Sequence, residues 1–257
     1  MRTLVISDIH ASLEGMDACL AAAKDKYDAV FNLGDVVGYG ASPIEVVEKS
    51  IALGGLFVRG NHDKACAGLS NLDDFNPIAA LAAMWTRKVL TPAELDWVKN
   101  LPIGPIKPEK VSDVQCVHGS PLDEDQYIIA ARDAYEPLAS AKERITFFGH
   151  THIQGGFSLG NNDDGTPEVT ILRPFYDTTD QLETFELPLF DNLRYLINPG
   201  SAGQPRDGDW RVAFAIYDDE AKLVTFFRVP YDIKSAQDRI YKANLPDRLA
   251  TRLDTGH

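Results

Sequence analysis

Cysteine is scarce in this chain. Its three cysteines, Cys19, Cys66 and Cys116, are odd in number, far apart and in no C-x-x-C spacing. That excludes a disulfide framework and fits buried thiols in a reducing compartment. Long apolar runs are missing as well: the longest, "IAALAAMW" (78–85), falls well short of the roughly 20 residues a membrane-spanning helix needs. The amino-terminal "MRTLVISDIH" turns polar after one strand-length apolar run, which is not the pattern of a signal peptide. These absences set a cytoplasmic protein without a membrane partner as the expectation. Positive charge is also in short supply. Lys and Arg number 25 against 38 Asp and Glu, a formal net charge of −13. Such a field repels phosphate backbones and speaks against bulk nucleic-acid or anionic-membrane binding. A small anionic substrate stays compatible, because a bound metal inverts the sign locally.

What the chain does contain is the material of a globular core, with 44% hydrophobic and 25% charged residues. No repeat, low-complexity run or linker divides it, so one domain over residues 1–257 is expected. Strand signals at 3–7, 28–35 and 55–63 alternate with helix signals at 12–26 and 42–53, the latter two opening at Ser12 and at Ser42-Pro43. That is β-α-β-α-β, the order of a parallel sheet covered by helices, with 55–63 read as a strand running into a turn. The middle reads as helices at 76–90 and 91–101, then strands at 113–119 and 144–150 with a helix at 132–142 between them. After His152 the chain becomes β-rich, up to a last helical piece at 232–245 followed by a tail.

Histidine is rare too, six in all, yet five of the six fall in short polar clusters beside glycine: "SDIH" (7–10), "GNHD" (60–63), "VHGS" (117–120) and "GHTH" (149–152). Only His257 stands alone. Each cluster, and Gly34-Asp35 with them, follows an apolar run read as a strand. Ligands of open parallel sheets collect beyond the carboxyl ends of the strands, so Asp8, His10, Asp35, Asn61, His118, His150 and His152 are expected on one rim. Imidazoles, carboxylates and one amide oxygen, with no thiolate, suit Mn²⁺, Fe or Zn²⁺ and are too nitrogen-rich for Mg²⁺ or Ca²⁺ alone. Seven donors exceed the needs of one ion and suit a pair about 3.5–4 Å apart, the arrangement that activates water for in-line attack on phosphorus.

The order D-x-H, G-D, G-N-H-D, H-G-S, G-H-T-H resembles that of the calcineurin-like metallophosphoesterases. The motifs cover residues 8–152. The later "NPGSAGQPRDGD" (198–209) and "YDIKSAQDRIYKANLPDRLATRL" (231–253) resemble a small bacterial and archaeal, phosphodiesterase-like branch of that family. The resemblance implies a four-layer α/β/β/α sandwich of two mixed sheets, with the metals at the edge between them and the β-rich second half as the second sheet. It implies two divalent transition-metal ions, Mn²⁺ foremost, with Fe, Zn²⁺ and Ni²⁺ as alternatives. Asp8, His10 and His152 would bind the first ion, Asp35 would bridge, and Asn61, His118 and His150 would bind the second. His62 would stabilise developing charge and protonate the leaving oxygen, with Asp63 as a neighbour that could orient it. The implied activity is hydrolysis of a small phosphate ester, a diester favoured, by a metal-bridging hydroxide.

One departure narrows the substrate. Protein Ser/Thr phosphatases of the superfamily carry G-D-x-x-D-R-G, whereas here "GDVVGYG" (34–40) puts Gly38 and Tyr39 at the Asp and Arg places. Dedicated protein-phosphatase activity is not expected. Arg59 and Arg206 are the candidate substrate-binding cations. Phe175, Tyr176 and Phe190 are candidates to stack a base, against a plainer role in sheet packing, and 70–77 is a candidate lip of the site. Asn198 and Ser201 read as turn formers, and Cys116, two positions before His118, as a core residue or a neighbour of the ligands. Two alternatives stay open: a dinucleoside polyphosphate hydrolase, and a non-catalytic interaction module on the same fold. A homodimer is the base-rate oligomer.

Overall fold

The computed structural model describes residues 1–73 and 75–257. The opening β-α-β-α-β is present as β1 (Arg2–Ile6), α1 (Leu13–Ala23), β2 (Ala29–Asn32), α2 (Pro43–Leu53) and β3 (Leu56–Phe57). Ser12 caps α1 by accepting the Gly15 N–H at 3.4 Å, and Pro43 opens α2 where a missing N–H costs nothing. The third strand is shorter than its apolar run. Instead of a turn, the G-N-H-D stretch begins a helix, α3 (Asn61–Cys66).

The middle of the chain supplies α4 (Pro77–Val89), α5 (Pro92–Lys99), β4 (Val114–Cys116), α6 (Ala131–Ser140) and β5 (Ile145–Phe147). Six strands follow: β6 (Gly155–Asn161), β7 (Pro167–Leu172), β8 (Glu183–Pro188), β9 (Arg194–Asn198), β10 (Val212–Asp218) and β11 (Leu223–Val229). The chain ends in α7 (Ile233–Lys242), α8 (Asp247–Thr251) and a 3₁₀ turn at Arg252–Asp254. The tail after α7 is therefore helical, not trailing: Leu249, Ala250 and Leu253 are buried in the same core as Ile240 of α7.

The strands form two mixed sheets, ordered β3-β2-β1-β10-β11-β8 and β4-β5-β9-β6-β7. This corrects one expectation. The β-rich second half is not the second sheet; it is dealt between both. β10 pairs antiparallel to β1, with Val5 opposite Ala215, while β9 runs parallel to β5, with Phe147 opposite Ile197. The reason lies in the alternation of side chains along each strand. Leu4 and Ile6, with Phe214 and Ile216, face an outer core under α1, α2 and α7. Val5, Ala215 and Tyr217 face the other way, onto Cys116, Phe147, Tyr195 and Ile197 of the second sheet. Val117, Phe148 and Leu196 then turn outward onto α6, through Ala134 and Leu138. Three apolar layers between four layers of structure give the α/β/β/α sandwich. Cys116 belongs to the middle layer and not to the site. Among the described residues no helix is long and apolar enough to cross a membrane.

Phe147 holds the centre of the inter-sheet layer. It is fully buried, its ring 5.4 Å from that of Tyr217 and 6.3 Å from that of Phe31. Removing it leaves a void that two sheets cannot close without shifting. Phe147→Ala should lower unfolding free energy by about 3–5 kcal/mol, measured as a fall in denaturant midpoint at unchanged slope. A loss below about 1 kcal/mol would mean that the sheets do not pack through this ring.

Candidate metal centre

Strands β1 and β2 of one sheet and β4 and β5 of the other end at the same edge of the sandwich, and the chain turns sharply at each end. Asp8, His10, Asp35, His150 and His152 all adopt left-handed backbone, with φ of 52°, 50°, 54°, 66° and 60°. For residues with a Cβ this conformation costs of order 1–3 kcal/mol each. The gain is direction: side chains that would have followed the strands are thrown onto the rim between the sheets. The rim is thus the meeting line of the two mixed sheets, as the family resemblance implied.

The seven expected ligands converge. The free ring nitrogens, Nε2, of His10 and His152 are 3.1 Å apart. Asp8 Oδ1 lies 3.3 Å from His152 Nε2, and Asp35 Oδ2 3.5 Å from His10 Nε2. On the other side of Asp35, the same Oδ2 is 3.5 Å from His118 Nε2. That nitrogen is in turn 3.1 Å from His150 Nδ1 and 3.3 Å from Asn61 Oδ1. Two groups result, Asp8-His10-Asp35-His152 and Asp35-His118-His150, with the donor atoms of each within 4.8 Å of one another. Asp35 is common to both.

Each imidazole is locked by its other nitrogen. Nδ1 of His10, His118 and His152 donates to the carbonyls of Val37 (3.2 Å), Leu33 (2.8 Å) and Gln204 (2.5 Å). Nε2 of His150 donates to the Asp125 carbonyl at 3.1 Å. A carbonyl only accepts, so the proton sits there and the inward nitrogens of His10, His150 and His152 present lone pairs. Lone pairs of two buried imidazoles facing each other at 3.1 Å repel, and a buried carboxylate needs a cation. Nitrogen and oxygen donors without a thiolate, gathered in two groups that share one carboxylate, fit two divalent cations.

The electrostatics of the metal-free cluster agree. Burial pushes Asp8 up to about 7. Burial also opposes charge on His118, but Asp35 and Asp8 outweigh it and raise its pKa to about 10. Burial holds His10 and His152 well below the usual imidazole range. Protons thus occupy the place of missing positive charge.

Other contacts hold these loops, and several were not legible in the motifs. Asp63 does not orient His62. Its carboxylate accepts the N–H groups of Asp35 (2.8 Å), Gly60 (3.0 Å) and Val37 (3.1 Å), tying α3 to the loop that carries the shared ligand. Asn198 and Ser201 are more than turn formers. Asn198 Nδ2 donates to the Gly149 carbonyl at 2.8 Å and Ser201 Oγ to the Asp8 carbonyl at 2.7 Å, which stitches the D-x-H and G-H-T-H loops together. Arg59 is committed elsewhere: its Nη2 donates to both oxygens of Glu124 at 3.0 Å. Lys64 reaches Glu124 at 2.9 Å and also pairs with Asp125. These pairs pin the loop whose carbonyl receives His150, and they engage one arm of the Arg59 guanidinium, whose Nε is buried without a partner among the described residues.

His62 sits beside the cluster. Its backbone N–H donates to Asp35 Oδ1 at 2.8 Å. Its ring is 4.3 Å from that of Tyr39, 4.9 Å from His10 and 5.2 Å from Phe75. A Cβ on Gly38 would lie 2.7 Å from His62 Nδ1, so glycine and tyrosine at 38 and 39 make room for the ring and a face for it to lie on. Nδ1 is buried with no partner among the described residues, and burial lowers the His62 pKa to about 4. His62, Asn61 and His150 open into a cavity of about 400 Å³, walled further by Phe75 and Asn76. The 70–77 stretch is therefore a lip of the site, with Asp74 outside the described residues. Phe175 and Phe190 are exposed, while Tyr176 hydrogen-bonds Gln154 at 2.6 Å; none of the three lines this cavity. Tyr127 does, with its ring 3.8 Å from that of His150.

The fold and this centre are those of a metallophosphoesterase. The family model described as the calcineurin-like phosphoesterase superfamily domain matches residues 1–222, and the chain belongs to that superfamily. It is 36% identical to an uncharacterised protein of Methanocaldococcus jannaschii over 253 residues, 98% of this chain and 97% of that one. The crystal structure of a metallophosphoesterase from Sphaerobacter thermophilus superposes with a TM-score of 0.81 at 38% identity, covering 100% of this chain and 99% of that one. A hypothetical protein of Pyrococcus horikoshii shares the fold, with a TM-score of 0.76 at 20% identity over 100% and 98% of the two chains.

Two predictions follow from the geometry. A Cβ on Gly60 would stand 2.0 Å from Asp35 Oδ1, so Gly60→Ala should displace the shared carboxylate. The variant should bind less than about a tenth of the wild-type Mn²⁺ at equal free metal, read by elemental analysis after dialysis. Undiminished metal would show that Asp35 is not the shared ligand. Because Asp35 and Asp8 raise the pKa of His118 and its nitrogen must be bare to bind, loading with Mn²⁺ at pH 7 should release at least about one proton. Calorimetry in buffers of different ionisation enthalpy measures this. Zero release would contradict the His118–Asp35 pairing.

Proposed function

We propose that this protein is a dinuclear-metal phosphoric ester hydrolase, with Asp8, His10 and His152 holding one ion, Asn61, His118 and His150 the other, and Asp35 shared between them. The observation that carries the reading is the double convergence of donor atoms on Asp35 Oδ2, with each histidine proton locked on the outer side. Mn²⁺ is the ion the donor set favours, with Fe, Zn²⁺ or Ni²⁺ as alternatives. These residues would hold two divalent ions, whose chemistry there would be electrostatic stabilisation of a phosphoryl group and acidification of water.

The chain's own groups do the rest. His62 faces the cavity shared with Asn61 and His150. Neutral in the free molecule, it donates an N–H to the departing oxygen, and an incoming anion raises its pKa so that it can surrender a proton. Arg206 is a cation of the rim without an Asp or Glu partner among the described residues. Its guanidinium lies over the Tyr39 ring, 5.6 Å from the centroid, and its Nη2 donates to Gln204 Oε1 at 3.2 Å. It can therefore turn its fork to a phosphate. Because no Asp stands beside His62 Nδ1 and no Arg stands at position 39, the pocket suits a diester better than a dianionic monoester on a protein. All site positions are present, which weighs against a non-catalytic interaction module.

A second reading, a nucleotide substrate such as a dinucleoside polyphosphate, is favoured by Tyr127. Its ring is half exposed and lies beside His150, where a base stacks well.

The test is hydrolysis of bis-p-nitrophenyl phosphate and p-nitrophenyl phosphate after chelation and Mn²⁺ re-addition. Mn²⁺ should restore turnover, with the diester preferred. His62→Ala should keep its metal and lose at least about a hundredfold in kcat. Metal-loaded protein that turns over neither compound would remove the enzyme reading, and a fully active His62→Ala would remove the role of His62.

A further inference from the structure

A second cavity, about 820 Å³, adjoins the first, with Tyr39, Asn76 and Tyr127 in the walls of both. Its far side is basic, although the protein as a whole carries −13. Arg206, Arg248 and Arg252 all line it. None of the three has a carboxylate partner among the described residues. Arg252 Nε donates to the backbone oxygen of His257, Arg206 Nη2 to Gln204, and Arg206 Nε is buried without a partner. Other arginines of limited exposure have their donors taken up within the protein, by carboxylates as Arg59, Arg211 and Arg228 have, or by backbone carbonyls as Arg87 and Arg194 have.

The guanidinium of Arg252 stands 6.0 Å from the Tyr39 ring centroid, on the ring that also receives Arg206. Burial, with Arg206 and Arg248 adding to it, brings the Arg252 pKa down to about 10. Three arginines in one cavity wall, with no Asp or Glu among the residues that line it, are an unfavourable arrangement until an anion joins them. The position is set by the tertiary fold, since the helical tail is anchored by Leu249 and Leu253 in the outer core, while Arg206 sits on a loop fixed by the Asp207–Gln154 bond of 3.0 Å.

We propose that Arg248 and Arg252, with Arg206 between them and the metal centre, form a subsite for a second phosphate of the same substrate. The substrate class is then a bisphosphorylated ester or a nucleotide with a phosphate beyond the scissile one. The Tyr39 ring marks the boundary, with His62 on it at 4.3 Å and the two guanidinium groups at 5.6 and 6.0 Å. This inference rests on the phosphoesterase reading for the identity of the first phosphate, and the arginine cluster for the second.

Two measurements separate the claims. The first is calorimetric titration of chelated protein with inorganic pyrophosphate, for wild type, Arg248→Gln/Arg252→Gln and Arg248→Lys/Arg252→Lys. Wild type should bind, the Gln pair should weaken binding at least about tenfold, and the Lys pair should retain an intermediate affinity. The second is Mn²⁺-supported release of p-nitrophenol from the p-nitrophenyl ester of thymidine 5′-phosphate, with and without a 3′-phosphate. Wild type should prefer the 3′-phosphorylated ester in kcat/KM, and that preference should fall at least about tenfold in the Gln pair. Equal pyrophosphate affinity in wild type and the Gln pair, or an unchanged preference, overturns the subsite. If neither ester is hydrolysed while pyrophosphate binding depends on the arginines, the phosphoesterase reading fails and the anion site stands.

Discussion

Asp35 lies between two sets of imidazole nitrogens, buried, with one oxygen 3.5 Å from a nitrogen of each set. Without compensating positive charge this is the least comfortable place in the molecule, and much of the surrounding architecture resists its relaxation. Backbone carbonyls hold the outer proton of each ligand histidine, the His62 N–H holds the second oxygen of Asp35, and Asp63 holds the loop from beneath. Five residues in left-handed conformation are part of the same constraint. Strain of this kind persists only where the rest of the fold over-determines it, and here two sheets meeting at one edge do so.

Charge is distributed in the same spirit. Most of the surface is acidic, and the buried arginines of the sheet edge are paired within the protein, as Arg211 is with Asp209 and Glu183. Around the groove the pattern reverses. Three arginines and no Asp or Glu stand among the residues that line it. An acidic protein of this form repels polyanions at long range and still attracts a small phosphate at close range, because screening confines each field to about 10 Å at moderate ionic strength.

Tyr39 shows how a departure from a motif becomes structure. In place of an Asp and an Arg, Gly38 leaves space for the His62 ring and Tyr39 offers its face to His62 on one side and to Arg206 and Arg252 on the other. Contact of the histidine with a tilted aromatic ring stands where a carboxylate would have supported it. The guanidinium groups near that ring belong to residues remote in sequence, Arg206 and Arg252.

The donor set was readable in the sequence because glycine-flanked His, Asp and Asn at the ends of apolar runs can do little else together. The strand-helix alternation follows from apolar spacing, and the seven donors from the polar clusters that end the apolar runs. Local pattern could not say which sheet each late strand joins, since β8, β10 and β11 look no different in sequence from β6, β7 and β9; only the two-faced burial of β1 and β5 decides it. Nor could it show that Arg59 is spent on Glu124, that Asp63 serves Asp35 and not His62, or that Arg248 and Arg252 return from the far end of the chain to the groove. Those are contacts between residues remote in sequence. Periodicity and residue chemistry act over a few positions, so they determined the elements and the ligands; side-chain partnerships depend on how the sheets and the last helix pack, and the tertiary structure alone decided them.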